Sequence, residues 1–380
     1  MKDINIQGIP IVVSKGNPYE LGWQHGCAVP DKIKEEVELM LTLCEKNAGL
    51  DRNECLSIAG RFVPAIEKYN PDYLTEIQGI AEGAGLSFEE IIFLNARTEM
   101  LKLGNGTDRK DSISLKESGC TSIAVTGEVT KDGHTYVGQT WDNLHACLNT
   151  MIAHLVIPDS GTPSFFYVGE AGIISRMGMN SAGIGIGVNS LSTNGPVNFE
   201  GVPLQFVIRG VMDSANLAQA IESVTRMPNG AVNNIMIAYK DSEAVDVEID
   251  HDNCECLYPV NSIITHTNHY EHPNRPHYPY YCIYTGSSIV RGGRSNKLMR
   301  LKMKEKGYLT ICDIKEVFTD HGNYPYSICV HCPNPEKELK FQHQTDCAFV
   351  CDLNDLTMDV AIGNPCKSGF IRISPFEDLV

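Results

Sequence analysis

Apolar residues recur at helical spacing through the first hundred positions of the chain. Between Asp31 and Cys44, the residues Ile33, Val37, Leu41 and Cys44 fall at i, i+4, i+8 and i+11, one face of a helix. Pro71 to Ala84 and Phe88 to Met100 repeat the pattern, and Ser87 with Glu90 has the spacing of a capping box opening the latter. The texture then changes. Gly104 to Asp111 is polar and glycine-containing, as linkers are, and a linker is expected near 103–118. Beyond it, short apolar runs bounded by turn residues dominate. Ser122–Thr126 and Thr135–Thr140 flank the hairpin signal Lys131-Asp132-Gly133, and Met151–Ile157 and Ser164–Val168 flank Asp159-Ser160-Gly161. Strands are also predicted over 184–188, 234–239, 244–249, 348–352, 357–361 and 370–373, with helices over Leu217–Val224 and Lys297–Lys304. Strands joined by tight turns imply antiparallel sheet with segregated helices, an α+β architecture behind a mainly helical N-terminal part.

Composition narrows the function classes. With 380 residues and 42% hydrophobic content, the chain can bury a sizeable core and is not disordered. Its formal net charge of −16 disfavours nucleic acid and anionic membrane surfaces as partners. No apolar run reaches the ~18–20 residues of a membrane span. The start, Met1 to Ile6, has no apolar stretch or cleavage site of a signal peptide. Fourteen cysteines are too dilute for a disulfide scaffold, so reduced thiols and a cytoplasmic setting are expected.

Chemistry concentrates where the texture changes, at Ser118-Gly119-Cys120-Thr121. A cysteine at a strand start is ordinarily a packed thiol. Directly after glycine and a linker, it can also be a nucleophile that becomes an N-terminus by self-cleavage. Only a few per cent of a free thiol is thiolate near neutral pH, so it needs a base within hydrogen-bond reach. Cutting Gly119–Cys120 would give Cys120 an α-amine of pKa near 8, able to take and return that proton. Glycine at 119 leaves the scissile carbonyl unhindered.

Residues 118–143 run Ser-Gly-Cys-Thr-Ser, a hairpin, then Gly138-Gln139-Thr140-Trp141-Asp142-Asn143. This resembles the isopenicillin N acyltransferase family of N-terminal-nucleophile (Ntn) hydrolases, in which Gly-Cys-Thr precedes Gly-Gln-Asn-Trp-Asp; Thr140 stands where the family usually has Asn. Further blocks match in order: Gly16 to Gly22 with His25-Gly26, Glu170 to Ile174, Gly178 to Gly183, Val188 to Leu191, His266 to His269, and Asn323 to Cys329. The resemblance spans roughly residues 16–365. It implies an αββα sandwich, two antiparallel sheets between helical layers, with the nucleophile at a strand end between the sheets. It also implies a small subunit, 1–119, that stays with a large subunit, 120–380, as its heterodimer partner.

Within that resemblance Cys120 is the nucleophile and Asp142 holds its α-ammonium. Asn268 and Asn189 are candidate oxyanion donors, each such donor supplying roughly 3–4 kcal/mol. Arg291 and Arg294 are candidates to pair with Asp142 or to bind a substrate carboxylate. The further arginine of isopenicillin N acyltransferases has no counterpart between Cys329 and Cys366, which argues against a penicillin-type substrate.

Other patterns point elsewhere more weakly. His266, His269, His272 and His277 crowd a short stretch, but not at the spacing of a helical zinc face. Cys329-Val330-His331-Cys332 is a C-x-x-C without βαβ context, and Gly183-Ile184-Gly185-Ile186-Gly187 lacks the spacing of a dinucleotide loop. These glycines are expected to admit a substrate or a neighbouring strand. The resulting expectation is a self-processing amidohydrolase acting on a small N-acyl amine or N-acyl amino acid through a thioester, with no metal or cofactor. The alternatives are an acyltransferase using acyl-coenzyme A or an amide donor, and a non-catalytic Ntn-like binding protein. The acyl group and the oligomeric state, a homo-oligomer included, stay open.

Overall fold

The computed structural model describes residues 5–103, 119–191, 196–250, 253–274, 285–332, 336, 338 and 341–379. The linker expected near 103–118 lies almost wholly outside them.

The N-terminal part opens with strands β1 (Asn5–Ile6) and β2 (Ile9–Gly16), then helices α1 (Pro18–Ala28), α2 (Pro30–Ala48), α3 (Arg52–Gly60), α4 (Val63–Tyr69), α5 (Pro71–Ala84), α6 (Phe88–Asn95) and α7 (Arg97–Lys102). Local chemistry sets these ends. Asn17/Glu20, Asp51/Glu54 and Ser87/Glu90 form capping boxes, and left-handed Gly49 and Gly85 close α2 and α5. Helices α1 and α5 pack backbone to backbone: a Cβ on Gly22 would lie 2.0 Å from Glu76 O, and one on Gly79 2.3 Å from Tyr19 O. The helix predicted over 88–100 breaks at Ala96. Just before it the Asn95 side-chain amide donates to Ile91 O in the helix (2.9 Å) and to Gly172 O (2.9 Å), and accepts from the Ile174 N–H (3.0 Å).

The remainder carries β3 (Cys120–Val125), β4 (Tyr136–Leu144), β5 (Met151–Pro158), β6 (Phe165–Glu170), β7 (Gly178–Asn180), β8 (Ile184–Ser190), α8 (Leu204–Met212), α9 (Leu217–Thr225), β9 (Asn233–Tyr239), β10 (Glu243–Ile249), β11 (Cys254–Leu257), β12 (Ile263–His266), α10 (Thr285–Lys306), α11 (Ile311–Phe318), β13 (His343–Asp352), β14 (Thr357–Ile362), α12 (Pro365–Ser368), β15 (Ile371–Ile373) and α13 (Pro375–Asp378). Helix α10 begins far earlier than the predicted 297. Gly292 and Gly293 hide its first turns from a propensity reading, while packing on β12 and β3 supports them.

Among the described residues, two sheets stack. One runs β1-β2-β5-β6-β7-β8-β9-β10-β11 and the other β12-β3-β4-β13-β14-β15. β3 and β4 face β8 and β9; α1 and α9 pack on the first sheet and α10 and α11 on the second, giving the αββα sandwich. One feature departs from the sequence reading: the mainly helical N-terminal part also contributes β2, which pairs β5 in parallel, so the first sheet is mixed. The Gly183–Gly187 run serves sheet packing: a Cβ on Gly185 would meet Val137 at 2.5 Å, and one on Gly187 would meet Ser122 Oγ at 2.7 Å.

Candidate active site

Cys120 opens β3 and is buried between the sheets. The hairpin register sets Cys120 opposite Trp141, and the Asp142 N–H reaches across to Gly119 O at 2.8 Å. The peptide linking Gly119 and Cys120 is held at every polar atom nearby. The Cys120 N–H donates to Asn268 Oδ1 (2.8 Å), and the Cys120 carbonyl accepts from Arg291 Nη1 at 2.5 Å. Gly119 can be nothing larger without a shift, since a Cβ there would sit 2.5 Å from Arg291 Nη2 and 3.2 Å from Asn268 Oδ1.

Arg291, buried on α10, organises this corner. Its Nη1 also donates to Thr121 Oγ1 (3.0 Å), its Nη2 to Asn268 Oδ1 (2.9 Å) and its Nε to Ser287 Oγ (3.0 Å). A guanidinium only donates, so the Asn268 amide must turn its oxygen toward Arg291 and Cys120. Its Nδ2 donates to Ser190 O (2.9 Å), and its backbone N–H to Ser288 Oγ (2.7 Å).

Asp142 is 2% exposed. Its Oδ1 accepts from Thr345 Oγ1 (2.6 Å), while its Oδ2 makes no hydrogen bond. Burial pushes the carboxyl up to about 7, against the opposing pull of Arg291 and Thr345. Burial and the Asp142 charge likewise push the Cys120 thiol up to about 11, with Arg291, Gln139 and the Asp142 N–H pulling down. In the intact chain the thiol is therefore protonated at neutral pH and sits beside a carboxylate poised to titrate there.

Asn189 lies on β8 on the same face as Gly187, toward the β3–β4 hairpin. It is fully buried and neither amide atom is hydrogen-bonded. Burying an unmade amide is costly; its neighbours Val188 and Ser190, not Asn189 itself, line the cleft described below. Arg294 does not join this group: it pairs with Asp320 (Nη2 to Oδ2, 2.6 Å) on the outer side of α10. Arg294, expected as a substrate-binding candidate, is thus placed away from Asp142 and is not among the residues lining the cleft described below. Arg291 is fully committed to the corner's own carbonyl, hydroxyls and amide, not held out toward a ligand.

A cleft opens over Gly119, Cys120, Asp142 and Asn268. Its apolar walls include Leu101, Trp141, Met177, Val188 and Leu204, and its cations are Arg97, Lys102 and Arg176. Arg176 lies over the Trp141 ring (4.8 Å) and grips Glu170 with two hydrogen bonds, and Arg97 pairs with the same Glu170 and with Glu36. These arginines, Gln139 and Thr345 escaped the sequence reading. Gln139 sat within the quoted Gly-Gln-Thr-Trp-Asp block; Thr345 gave no signal, because its role depends on the pairing of β13 with β4.

The described histidines of the run are engaged by neighbouring side chains. Burial would lower His266, but Asp246 and Glu248 (2.9 Å) raise it to about 9, and His269 bonds Thr267 Oγ1 and Ser288 Oγ. Both brace the Asn268 loop; His277 lies outside the described residues. Among the described residues, no helix is long and apolar enough to cross a membrane.

Comparison with known proteins places the chain among acyl-transferring and amide-cleaving relatives. The family profile described as acyl-coenzyme A:6-aminopenicillanic acid acyl-transferase matches residues 129–367. The chain is 26% identical over 371 residues to the acyl-coenzyme A:6-aminopenicillanic-acid-acyltransferase 40 kDa form of Emericella nidulans, covering 97% of this chain and 96% of that one. It is 21% identical over 246 residues, 61% of each chain, to the beta-alanyl-dopamine/carcinine hydrolase of Drosophila melanogaster. A solved structure of a mutant conjugated bile acid hydrolase from Clostridium perfringens superposes with a TM-score of 0.46 at 14% identity, over 67% of this chain and 92% of that one.

Proposed function

Because the chain belongs to the acyl-coenzyme A:6-aminopenicillanic acid acyl-transferase family, we propose that Cys120 is the nucleophile of an amide hydrolase or acyltransferase and is freed by cleavage of its own Gly119–Cys120 bond. The observation that carries this is the clamp on that one peptide: Asp142 N–H on its carbonyl oxygen and Asn268 Oδ1 on its N–H.

In the intact chain the Asp142 carboxylate takes the thiol proton, and Sγ adds to the Gly119 carbonyl carbon. The oxyanion that forms is already bonded to the Asp142 N–H. The C–N bond breaks as the Cys120 nitrogen is protonated, leaving a thioester to Gly119 and a free α-amine. Water hydrolyses the thioester, returning the thiol and a Gly119 carboxylate. The new α-ammonium keeps Asn268 Oδ1 as an acceptor, and the Asp142 carboxylate, whose Oδ2 makes no hydrogen bond, supplies the compensating charge. In turnover that amine serves as base for the thiol and as acid for the leaving amine. Asn189, with its unmade amide, is the donor offered to the substrate's oxyanion, and Asn268 chiefly positions the amine. The acyl-enzyme passes to water, or to an acceptor amine in the transferase version.

The N-terminal piece stays bound after the cut. β2 is hydrogen-bonded into the first sheet, and Tyr69 bonds Ser223 O from across the core. The thirteen described cysteines are free thiols, which supports a reducing, cytoplasmic setting.

The cleft's apolar walls support a small acyl group, and its charges are largely matched, Arg97 and Arg176 being paired with Glu36 and Glu170; this is compatible with a small N-acyl amine or N-acyl amino acid as substrate. Intact-mass analysis beside Cys120→Ala tests the processing. A 41.9 kDa chain cut after residue 119 of 380 gives pieces of about 13 and 29 kDa. A single uncut chain after prolonged incubation would remove the mechanism. Release of free amine from small N-acyl amines or N-acyl amino acids by the processed chain, and not by Cys120→Ala, is the expected result for activity.

A further inference from the structure

The C-x-x-C motif is not where the cysteines meet. Cys329 turns away from Cys332 to face Cys366 on α12, and the turn between α11 and β13 brings His321 and His331 to the same point. Cys329 Sγ lies 3.6 Å from Cys366 Sγ and 3.7 Å from His331 Nε2; Cys366 Sγ lies 3.4 Å from His331 Nε2, and His321 Nε2 is 3.0 Å from that nitrogen. All four ligand atoms fall within 4.8 Å of one another.

The four separations given match edges of a metal tetrahedron. With Zn–S of about 2.3 Å and Zn–N of about 2.0–2.1 Å, tetrahedral zinc sets S–S near about 3.8 Å, S–N near about 3.5 Å and N–N near about 3.3 Å. A disulfide is not what the two thiols make, since its sulfurs would be about 2.05 Å apart. Two soft thiolates with two imidazoles in a four-ligand set match zinc and leave no open position. Asn364 supports the arrangement, its Nδ2 reaching Cys329 Sγ (3.9 Å) and Val330 O (2.7 Å), as a donor beside a metal-bound thiolate does. Cys329 forms the buried floor, while His321 and Cys366 stand at the exposed rim, so a cation can enter from solvent.

We propose that His321, Cys329, His331 and Cys366 form a structural zinc site that fixes the turn holding Asp142. Val330 lies between two of the ligands, and its N–H donates to Thr345 Oγ1 (2.8 Å). That hydroxyl in turn donates to Asp142 Oδ1 (2.6 Å), and the Thr345 N–H returns to Val330 O (3.0 Å). The metal thus tethers α12 to the turn two hydrogen bonds from the carboxylate. It takes no part in the acyl chemistry.

The test measures metal in the full chain, purified under reducing conditions without a histidine tag, incubated with zinc chloride and desalted. About one zinc per chain is expected by elemental mass spectrometry, falling at least about tenfold in Cys366→Ser. Cys312→Ser, which alters an exposed cysteine outside the cluster, should keep the metal. Cobalt in place of zinc should give thiolate-to-cobalt charge transfer and the strong visible bands of a tetrahedral site. Less than about a tenth of an equivalent in the reduced, zinc-treated wild type would overturn the proposal. So would full zinc content in Cys366→Ser. Because the wild-type chain decides the first point, a variant that misfolds cannot obscure it.

Discussion

The chain places cysteines in two corners that are linked through Thr345 and differ in almost everything else. Around Cys120, the partners are hard and fixed: a buried carboxylate, a buried guanidinium and an oriented amide, all arranged about one peptide bond. Around Cys329 and Cys366, they are soft donors half open to solvent, arranged about one point in space. A thiol among charges and backbone donors is set up to move a proton and make a carbon bond. A thiol among imidazoles and a second thiol is set up to bind a metal. Residue type is the same; the neighbours decide the chemistry. Thr345 joins the two corners, receiving the Val330 N–H from one and bonding Asp142 in the other.

The largest effect separating the corners is expected at the thiols themselves. Cys120→Ala should leave the chain uncut and lower N-acyl hydrolysis by about 10⁴-fold or more, since no other group supplies the covalent step. Cys366→Ser should still be cut and should lose metal instead. Cleavage in Cys120→Ala, seen by mass, would erase the distinction.

Next come the arginines. Arg291→Ala strips a buried corner of its cation and leaves Asp142 uncompensated, a change expected to cost about 3–5 kcal/mol in denaturant unfolding and to slow cleavage. Arg294→Ala breaks a pair at the surface with Asp320 and should cost at most about 1 kcal/mol. Equal losses in the two melts would show that α10 does not divide its faces in this way.

Asn189→Ala sharpens the functional side. Removing an amide that makes no hydrogen bond should leave the melting temperature unchanged or raised, while kcat falls about 10²–10³-fold if the amide meets the oxyanion. A fall in stability with kcat intact would assign Asn189 to the core.

A further effect is a pH dependence. Asp142 has its folded pKa raised to about 7 from 3.8, so the folded chain binds its proton more tightly than the unfolded chain. Its contribution to stability is therefore present at low pH and is lost as pH rises toward 7. In an uncut Cys120→Ala background, Asp142→Asn should remove part of the decline in melting temperature between pH 4 and 7. Superimposable profiles for the two chains would mean that the carboxyl is not raised.

Much of this protein was legible along the chain because it depends on short-range chemistry. Capping residues and apolar periodicity marked α2, α5 and α6, and turn residues marked the β3–β4 and β5–β6 hairpins. A hairpin sets its own register, so Gly119-Cys120 and Asp142 could be brought together from sequence alone. Asn268 and Asn189 are named only through family blocks, and the structure sets them apart: Asn268 is bonded at both amide atoms, with Arg291 dictating which way it faces, and Asn189 at neither.

What stayed hidden depends on elements distant in the chain. The extent of α10 was masked by Gly292 and Gly293, whose low helix propensity is overcome by packing on β12 and β3. The two arginines three residues apart were indistinguishable until the helix had a buried side and a solvent side. The N-terminal strand β2 joined a sheet more than a hundred residues away in sequence, in parallel. Cys329 could have been assigned to Cys332 by spacing, yet its neighbour is Cys366, because α12 returns beside the turn. The sequence determined the chemistry available: a thiol after glycine, a carboxylate on the paired strand, asparagines and cysteines in number. Tertiary structure alone decided which of those groups meet. Distances of about 3 Å between residues dozens or hundreds of positions apart are set by the stacking of sheets and helices, which no local spacing encodes.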